Sequence, residues 1–151
     1  MLLRFIIYGV LGWAAEIFWT GLPKRRPIDW KLQGHTQWWT LPIYGQIATL
    51  YEPLHDHVRP LPLLLRGLIY AAGFIGVEFL AGILIEWLTG EIPWDYTGKT
   101  RWQYKGATRL DYAPLWFIFG LVLEPVHDYL VRVTPALQAA LGKGDGRRVT
   151  R

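Results

Sequence analysis

Long stretches of this chain carry almost no charge, and that limits what it can fold into. Leu2–Leu22 holds only Arg4 and Glu16, and Leu61–Thr89 holds only Arg66, Glu78 and Glu86. Ala113–Val126 holds only Glu124, and apolar sequence resumes at Tyr129–Val133. Thr40–Tyr51 has no charge, and the stretch runs on through Glu52 to His55. A helix needs about 20 mostly apolar residues to cross ~30 Å of hydrocarbon. A soluble helical domain would need polar helix faces, which the first and third stretches lack. The pattern therefore predicts an all-α integral membrane fold with four transmembrane helices, roughly 2–22, 40–58, 61–89 and 113–133. Bulk composition would not decide the matter, because 52% of residues are hydrophobic yet 19% are charged. The absence of cysteine excludes disulfides, thiolate metal sites and cysteine nucleophiles. Glu16 interrupts the first apolar run and no small-residue cleavage motif follows it, so a cleaved signal peptide is not expected.

The chain also matches itself. At an offset of 62, Leu2, Leu3, Arg4, Ile7, Tyr8 and Glu16 fall on Leu64, Leu65, Arg66, Ile69, Tyr70 and Glu78. At an offset of 72, Trp30, Gly34, Thr36, Pro42, Glu52, Pro53, His55 and Asp56 fall on Trp102, Gly106, Thr108, Pro114, Glu124, Pro125, His127 and Asp128. The two offsets differ by an insertion of ten residues between Glu78 and Trp102. This order predicts a tandem duplication of a two-helix unit, with halves 1–60 and 61–134 in one transmembrane domain. Two spans return the chain to its starting side, so the halves would be related by a pseudo-two-fold axis along the membrane normal. Residues 135–151, with Gly142, Gly144, Gly146, Arg147 and Arg148, read as a polar flexible tail.

The long connections, roughly 23–39 and 90–112, fall on one side. Each carries Trp-x-(Leu/Tyr)-x-Gly-x-Thr, a pattern that suggests a short interfacial hairpin. Eight of the nine tryptophans (19, 30, 38, 39, 87, 94, 102 and 116) lie in these connections or at the adjoining helix ends, and Trp13 lies deeper. Amphipathic rings favour the headgroup level, so this is an aromatic belt. Lysine and arginine do not orient the chain. Lys24, Arg25, Arg26, Lys31, Lys99, Arg101, Lys105 and Arg109 on the loop side balance Arg4, Arg59, Arg66, Arg132, Lys143, Arg147, Arg148 and Arg151 on the terminal side. Counting only charges near the spans favours a cytoplasmic loop side.

Each expected helix holds one deep glutamate: Glu16, Glu52, Glu78 and Glu124. An ionisable group at mid-membrane costs at least ~2.5 kcal/mol, so it faces the bundle interior and a partner. At ~1.5 Å per residue, Glu16 and Glu78 lie ~21 Å from the terminal face, and Glu52 and Glu124 lie ~12 Å from it. Arg4 and Arg66 share the depth of His55, Asp56, His127 and Asp128, which predicts an ion-pair layer there. Glu16 and Glu78 have no cation at their depth, and Tyr44 and Gln46 are placed to share a proton with Glu16. Glu52/His55 and Glu124/His127 at i, i+3 put both side chains on one helix face. With Glu16 and Glu78 they form the residue set of di-iron carboxylate bundles. Against that centre, the two carboxylate layers stand ~9 Å apart, whereas a dinuclear cluster holds its ions ~3.5–4 Å apart. A divalent metal on Glu52, His55, Glu124 and His127 is thus one alternative, and no other cofactor is expected. Pro42, Pro53, Pro114 and Pro125 recur in pairs in helices 2 and 4, and Gly9, Gly12, Gly73, Gly76 and Gly82 permit close helix approach.

At these residues the chain resembles a known family. Leu63-Leu64-Leu65-Arg66-x-Leu68-Ile69-Tyr70, Glu78…Gly82, Pro93-Trp94-Asp95-Tyr96 and Leu110-Asp111-Tyr112-Ala113…Trp116-Phe117 resemble the transmembrane protein 229 family. Gly12…Glu16, Trp30…Gly34 and Ile43-Tyr44-Gly45 do so too. That group is similar in turn to the bacterial "putative ABC-transporter type IV" permease-like proteins. The resemblance runs from about Leu2 to Tyr129, and the Trp94-Asp95-Tyr96 interfacial motif is its most specific part. It implies a small multi-pass protein of a bacterial cytoplasmic membrane. The four glutamates match family positions, whereas His55 and His127 depart from the pattern. The chain has no Walker motif, so an ATPase would be a separate chain.

Three functions follow as expectations. The first is a transport or permease component whose acidic interior handles a cation or proton, with lipid, a second copy or an ATPase chain as partner. The second is an interaction subunit docking through the tryptophan-rich loops. The third is a di-metal carboxylate enzyme. Nucleic acid is not an expected partner, because the basic residues flank membrane spans, where anionic headgroups account for them.

Overall fold

A computed structural model describes residues 1–22 and 30–145, with side chains up to 142. Lys24, Arg25, Arg26 and the tail from residue 146 lie outside the described residues. The elements in order are α1 (Leu2–Gly21), α2 (Thr40–Gly45), a 3₁₀ turn (Gln46–Ala48), α3 (Tyr51–Val58), α4 (Leu63–Thr89), β1 (Gln103–Tyr104), β2 (Thr108–Arg109), a 3₁₀ turn (Leu110–Tyr112) and α5 (Ala113–Asp145). Three helical stretches are long and apolar enough to cross a membrane: Leu2–Gly21, Leu63–Thr89 and Leu110–Gly142. Their outward residues include Ile6, Val10 and Phe18 on α1, Leu64, Leu68, Leu80 and Leu84 on α4, and Ile118 and Val122 on α5. So much exposed apolar surface suits lipid rather than water.

The expected second span, 40–58, is not one continuous helix. Pro42 sits in the first turn of α2, where its missing N–H costs nothing. Pro53 cannot donate to the carbonyl of Thr49, and the helix stops before it and restarts at Tyr51. Across the gap the amides of Thr49 and Leu50 both bond Gln46 O, at 3.0 and 2.7 Å. The fourth span behaves oppositely. α5 runs unbroken through Pro125 and Pro135 to Asp145. The expected flexible tail is therefore helical over 135–145, because Ala136–Leu141 is built of strong helix formers. Pro62 marks the start of α4, and Gly90 ends it at φ +82° with its N–H on Glu86 O.

The chain divides into two compact units, Met1–Glu52 with Pro125–Arg151, and Pro53–Glu124. In the first, α1 and α2 pack through small residues. A Cβ on Gly9 would stand 2.8 Å from Leu41 O, one on Gly12 would overlap the Tyr44 ring, and Phe5 lies over Gly45. The connection then turns back along α1. Gly34 lies against the backbone of Ile17, Trp13 Nε1 donates to Gln37 O (2.9 Å), and His35 N donates to Thr20 Oγ1 (2.8 Å). Among its described residues this connection forms no strand, contrary to the hairpin expected there.

In the second unit, Gly67 lies under Phe117, Gly120 lies against Tyr70, and Phe74 stacks on Trp116 at 5.3 Å. Here the expected hairpin does form. β1 and β2 pair antiparallel, Gln103 with Arg109 and Tyr104 with Thr108. Lys105 (φ +51°) and Gly106 (φ +68°) make the turn, and Ala107 N closes it on Tyr104 O. The hairpin packs back on α4, with Ala107 fully buried against Gly82. Gly73 and Gly76 do not serve close approach. Gly73 meets only Leu54, at 3.8 Å from a built Cβ, and Gly76 has nothing within 4 Å.

This contrast sets a prediction. Gly67→Val should lower stability by about 1–3 kcal/mol in detergent melts, because the side chain displaces Phe117, and Phe117→Ala in the same protein should recover part of the loss. Gly76→Ala should be neutral or stabilise by up to about 1 kcal/mol.

Candidate functional site

The four glutamates fall into two chemical kinds. Glu52 and Glu124, each 6% exposed, are held by arginine. Arg4 Nε lies 2.8 and 3.1 Å from the Glu52 oxygens, and Nη2 lies 2.9 Å from Oε2. Arg66 meets Glu124 with Nη2 at 3.1 Å from Oε2 and Nε at 2.9 Å from Oε1. Arg59 Nη1 adds a bond to Oε2 at 2.8 Å, and Tyr70 OH donates to Oε1 at 3.0 Å. The matching Tyr8 hydroxyl is buried beside Glu52. Bidentate guanidinium–carboxylate pairing gives the strongest fixed geometry a side-chain pair offers.

This arrangement differs from the expected ion-pair layer. Arg4 and Arg66 take the glutamates rather than the His-Asp pairs, because counting rise per residue places a Cα and ignores the reach of a long arginine side chain. His55 Nδ1 meets Asp56 at 3.0 Å, and Arg59 Nη1 lies 3.2 Å from its Nε2, so both ring nitrogens are engaged. His127 is 6% exposed with Nδ1 3.6 Å from Glu52 Oε1, and Tyr8 feels the charge of Asp128. A metal on Glu52, His55, Glu124 and His127 would have to displace guanidinium groups from both carboxylates.

Glu16 and Glu78 are held by hydroxyls that return from the connections. Thr36 Oγ1 donates to Glu16 Oε2 at 2.7 Å. Thr108 Oγ1 donates to Glu78 Oε2 at 2.6 Å, and Tyr96 OH donates to Oε1 at 2.9 Å. Tyr44 rests on Gly12, one turn before Glu16, while Gln46 Oε1 accepts from Thr49 Oγ1. Gln46 therefore serves the break in the helix. The charge of Arg109 also reaches Glu78, which was expected to have no cation at its depth. Arg109 itself is bidentate to Asp111 (2.9 and 2.6 Å) and lies 4.0 Å over the Tyr112 ring.

The Trp94-Asp95-Tyr96 motif explains how a loop reaches a glutamate inside α4. Trp94 Nε1 donates to Ala107 O at 2.8 Å, and Tyr96 N donates to Gly106 O at 2.9 Å. Asp95 accepts from the Thr97 hydroxyl and, through Oδ1 at 2.9 Å, from the Thr97 amide, which hold its carboxyl below the usual range and keep it charged. A Cβ on Gly106 would collide with that oxygen. Burial first, and the Glu78 charge second, push the Tyr96 phenol well above its ordinary value, so it stays protonated and donates. The motif is thus more than an interfacial anchor. Thr36, Thr108, Tyr8, Tyr70 and Arg59 were not singled out as site residues. The first four are matched pairs at the two repeat offsets, and that signal could have found them.

Removing one partner of a buried pair strands the other charge, which costs about 3–5 kcal/mol. Arg4→Met should therefore destabilise the protein by an amount of that order, and Arg4→Met with Glu52→Leu should restore most of it. Thermal unfolding in detergent measures both.

No solved structure matches this chain. Residues 3–142 match the family described as "putative ABC-transporter type IV". With nearly its whole length covered and three helices fit to span a bilayer, this integral membrane protein belongs to that transporter-like family.

Proposed function

We propose that the chain is the membrane-embedded component of a transport system and that Glu16 and Glu78 handle a proton or small cation. The observation that carries this reading is the contrast between the two kinds of glutamate. Glu52 and Glu124 are neutralised by arginine, while Glu16 and Glu78 are solvated by hydroxyls. A hydroxyl can donate to a carboxylate and accept from a carboxylic acid. Such a site tolerates a change in charge, and an intramembrane carboxylate of this kind marks a proton or ion path.

A tandem duplication, with α2, the 3₁₀ turn and α3 as a broken second crossing, fits the same reading. Supporting it, Arg4–Glu52 and Arg66–Glu124 are one contact at the two offsets, as are Glu16–Thr36 and Glu78–Thr108. Phe5 on Gly45 and Gly67 under Phe117 are that contact with its large and small members exchanged. Kinship with the transmembrane protein 229 family, a multi-pass topology in a bacterial membrane, self-association and a separate ATPase chain belong to this reading. The exposed Trp30, Trp38, Trp87 and Trp102 favour a second one, an interaction subunit docking through its loops.

The test is proton uptake into proteoliposomes, driven by a potassium diffusion potential and followed with an internal pH dye. The wild-type protein should exceed protein-free vesicles. Glu16→Gln and Glu78→Gln should each lose at least tenfold of that flux with helix content unchanged. Absent wild-type flux, or unchanged flux in both variants, overturns the proton reading.

A further inference from the structure

Glu78 sits eleven residues before the end of α4, about 16 Å along the helix axis from Thr89. Its hydrogen-bond donors Tyr96 and Thr108 come from the connection that follows α4, so that connection has to run back along the helix. We propose that Trp94 and Asp95 are positioning residues: they clasp the 94–109 segment on α4 so that Tyr96 and Thr108 meet Glu78. This rests on the reading of Glu78 as a functional carboxylate.

The clasp has two jaws. On one side Asp95 Oδ1 takes the Thr97 amide and fixes the backbone on either side of Tyr96. On the other side the Lys105–Gly106 turn presents two carbonyls. Gly106 O takes the Tyr96 amide, and Ala107 O takes the Trp94 indole. Gly106 N is in turn satisfied by Gln103 Oε1 at 2.7 Å. The jaws meet where Asp95 Oδ1 lies against Gly106, in space that a Cβ would fill. Ala107 then lies on Gly82, which sets the depth of the hairpin, and the next residue, Thr108, reaches Glu78. Asp95 touches neither Glu78 nor any other group inside α4 among these bonds. It acts through Tyr96 and Gly106. The first unit reaches the same end with a simpler device, Gly34 against Ile17 and Thr36 on Glu16.

Groups facing Glu78 from the packed elements are Tyr96 from the loop, Thr108 and Arg109 from β2, and Arg109 is tied to Asp111. Losing the clasp should uncover the carboxyl without removing any of these residues.

The test uses an apolar carbodiimide, which labels carboxyl groups within membranes, on the full chain in vesicles. Labelling of Glu78 and Glu16 is read separately by peptide mass spectrometry. Asp95→Ala should raise the labelling rate of Glu78 at least fivefold and leave Glu16 unchanged. Asp95→Asn keeps an oxygen for the Thr97 amide and should label like wild type. Gly106→Ala, which attacks the clasp from its other jaw, should behave as Asp95→Ala. A variant that unfolds would raise both glutamates together. Equal Glu78 labelling in wild type and Asp95→Ala, a parallel rise at Glu16, or failure of Asp95→Asn to preserve protection overturns the clasp. If Glu78→Gln leaves proton flux intact while Asp95→Ala exposes Glu78, the clasp stands and the transport reading falls.

Discussion

A carboxylate placed below a membrane surface has to be solvated by the protein, because lipid offers it nothing. In this structure each of the four glutamates meets side-chain donors of the protein. Two glutamates are answered from helices, by arginine forks and, at Glu124, a tyrosine. The other two are answered from connections, and a connection can reach them only by turning back along the helix it has just left. That return requires backbone to pass close to backbone. Gly34 against Ile17 and Gly82 against Ala107 are where it does so, and a side chain at either position would hold the loop away. Among the described residues, each connection is therefore drawn back to its glutamate.

Packing elsewhere obeys a related constraint. Helices in lipid gain little from hiding apolar surface, so close van der Waals fit decides which faces meet. Gly9, Gly12 and Gly45 let α1 and α2 approach, and Gly67 and Gly120 do the same for α4 and α5. The large partner is on α1 at Phe5 and on α5 at Phe117. If the halves arose by duplication, that exchange conserves the volume at the contact while moving it between helices, a change cores tolerate well.

The sequence made the long helices legible because charge excludes itself from lipid. α1 and α4 end within two residues of the expected bounds, and Pro62 accounts for the later start of α4. It was less informative where two local effects compete. Pro53 and Pro125 stand at matched positions, yet only the first interrupts a helix. The flanking Leu121-Val122-Leu123 and Ala48-Thr49-Leu50 have similar helix propensity, and no pattern of apolar residues reports which of them continues as helix. The site was half legible. All four glutamates and both arginines were visible as charges in apolar runs. Their partners were misassigned because rise per residue gives depth but neither azimuth nor side-chain reach. Thr36 and Thr108 stood out only as repeat matches, because nothing in the sequence reports that a loop turns back along the helix it has left.

The two ways of solvating a glutamate differ in what they permit. Arg59 and Arg66 bring only donors and positive charge, which locks their geometry to a carboxylate at Glu124. Thr108 and Tyr96 impose no such lock, since each hydroxyl can turn from donor to acceptor when Glu78 gains a proton. The same holds for Thr36 on Glu16. The arginine-held pair is matched to a fixed charge, and the hydroxyl-held pair is not tied to one.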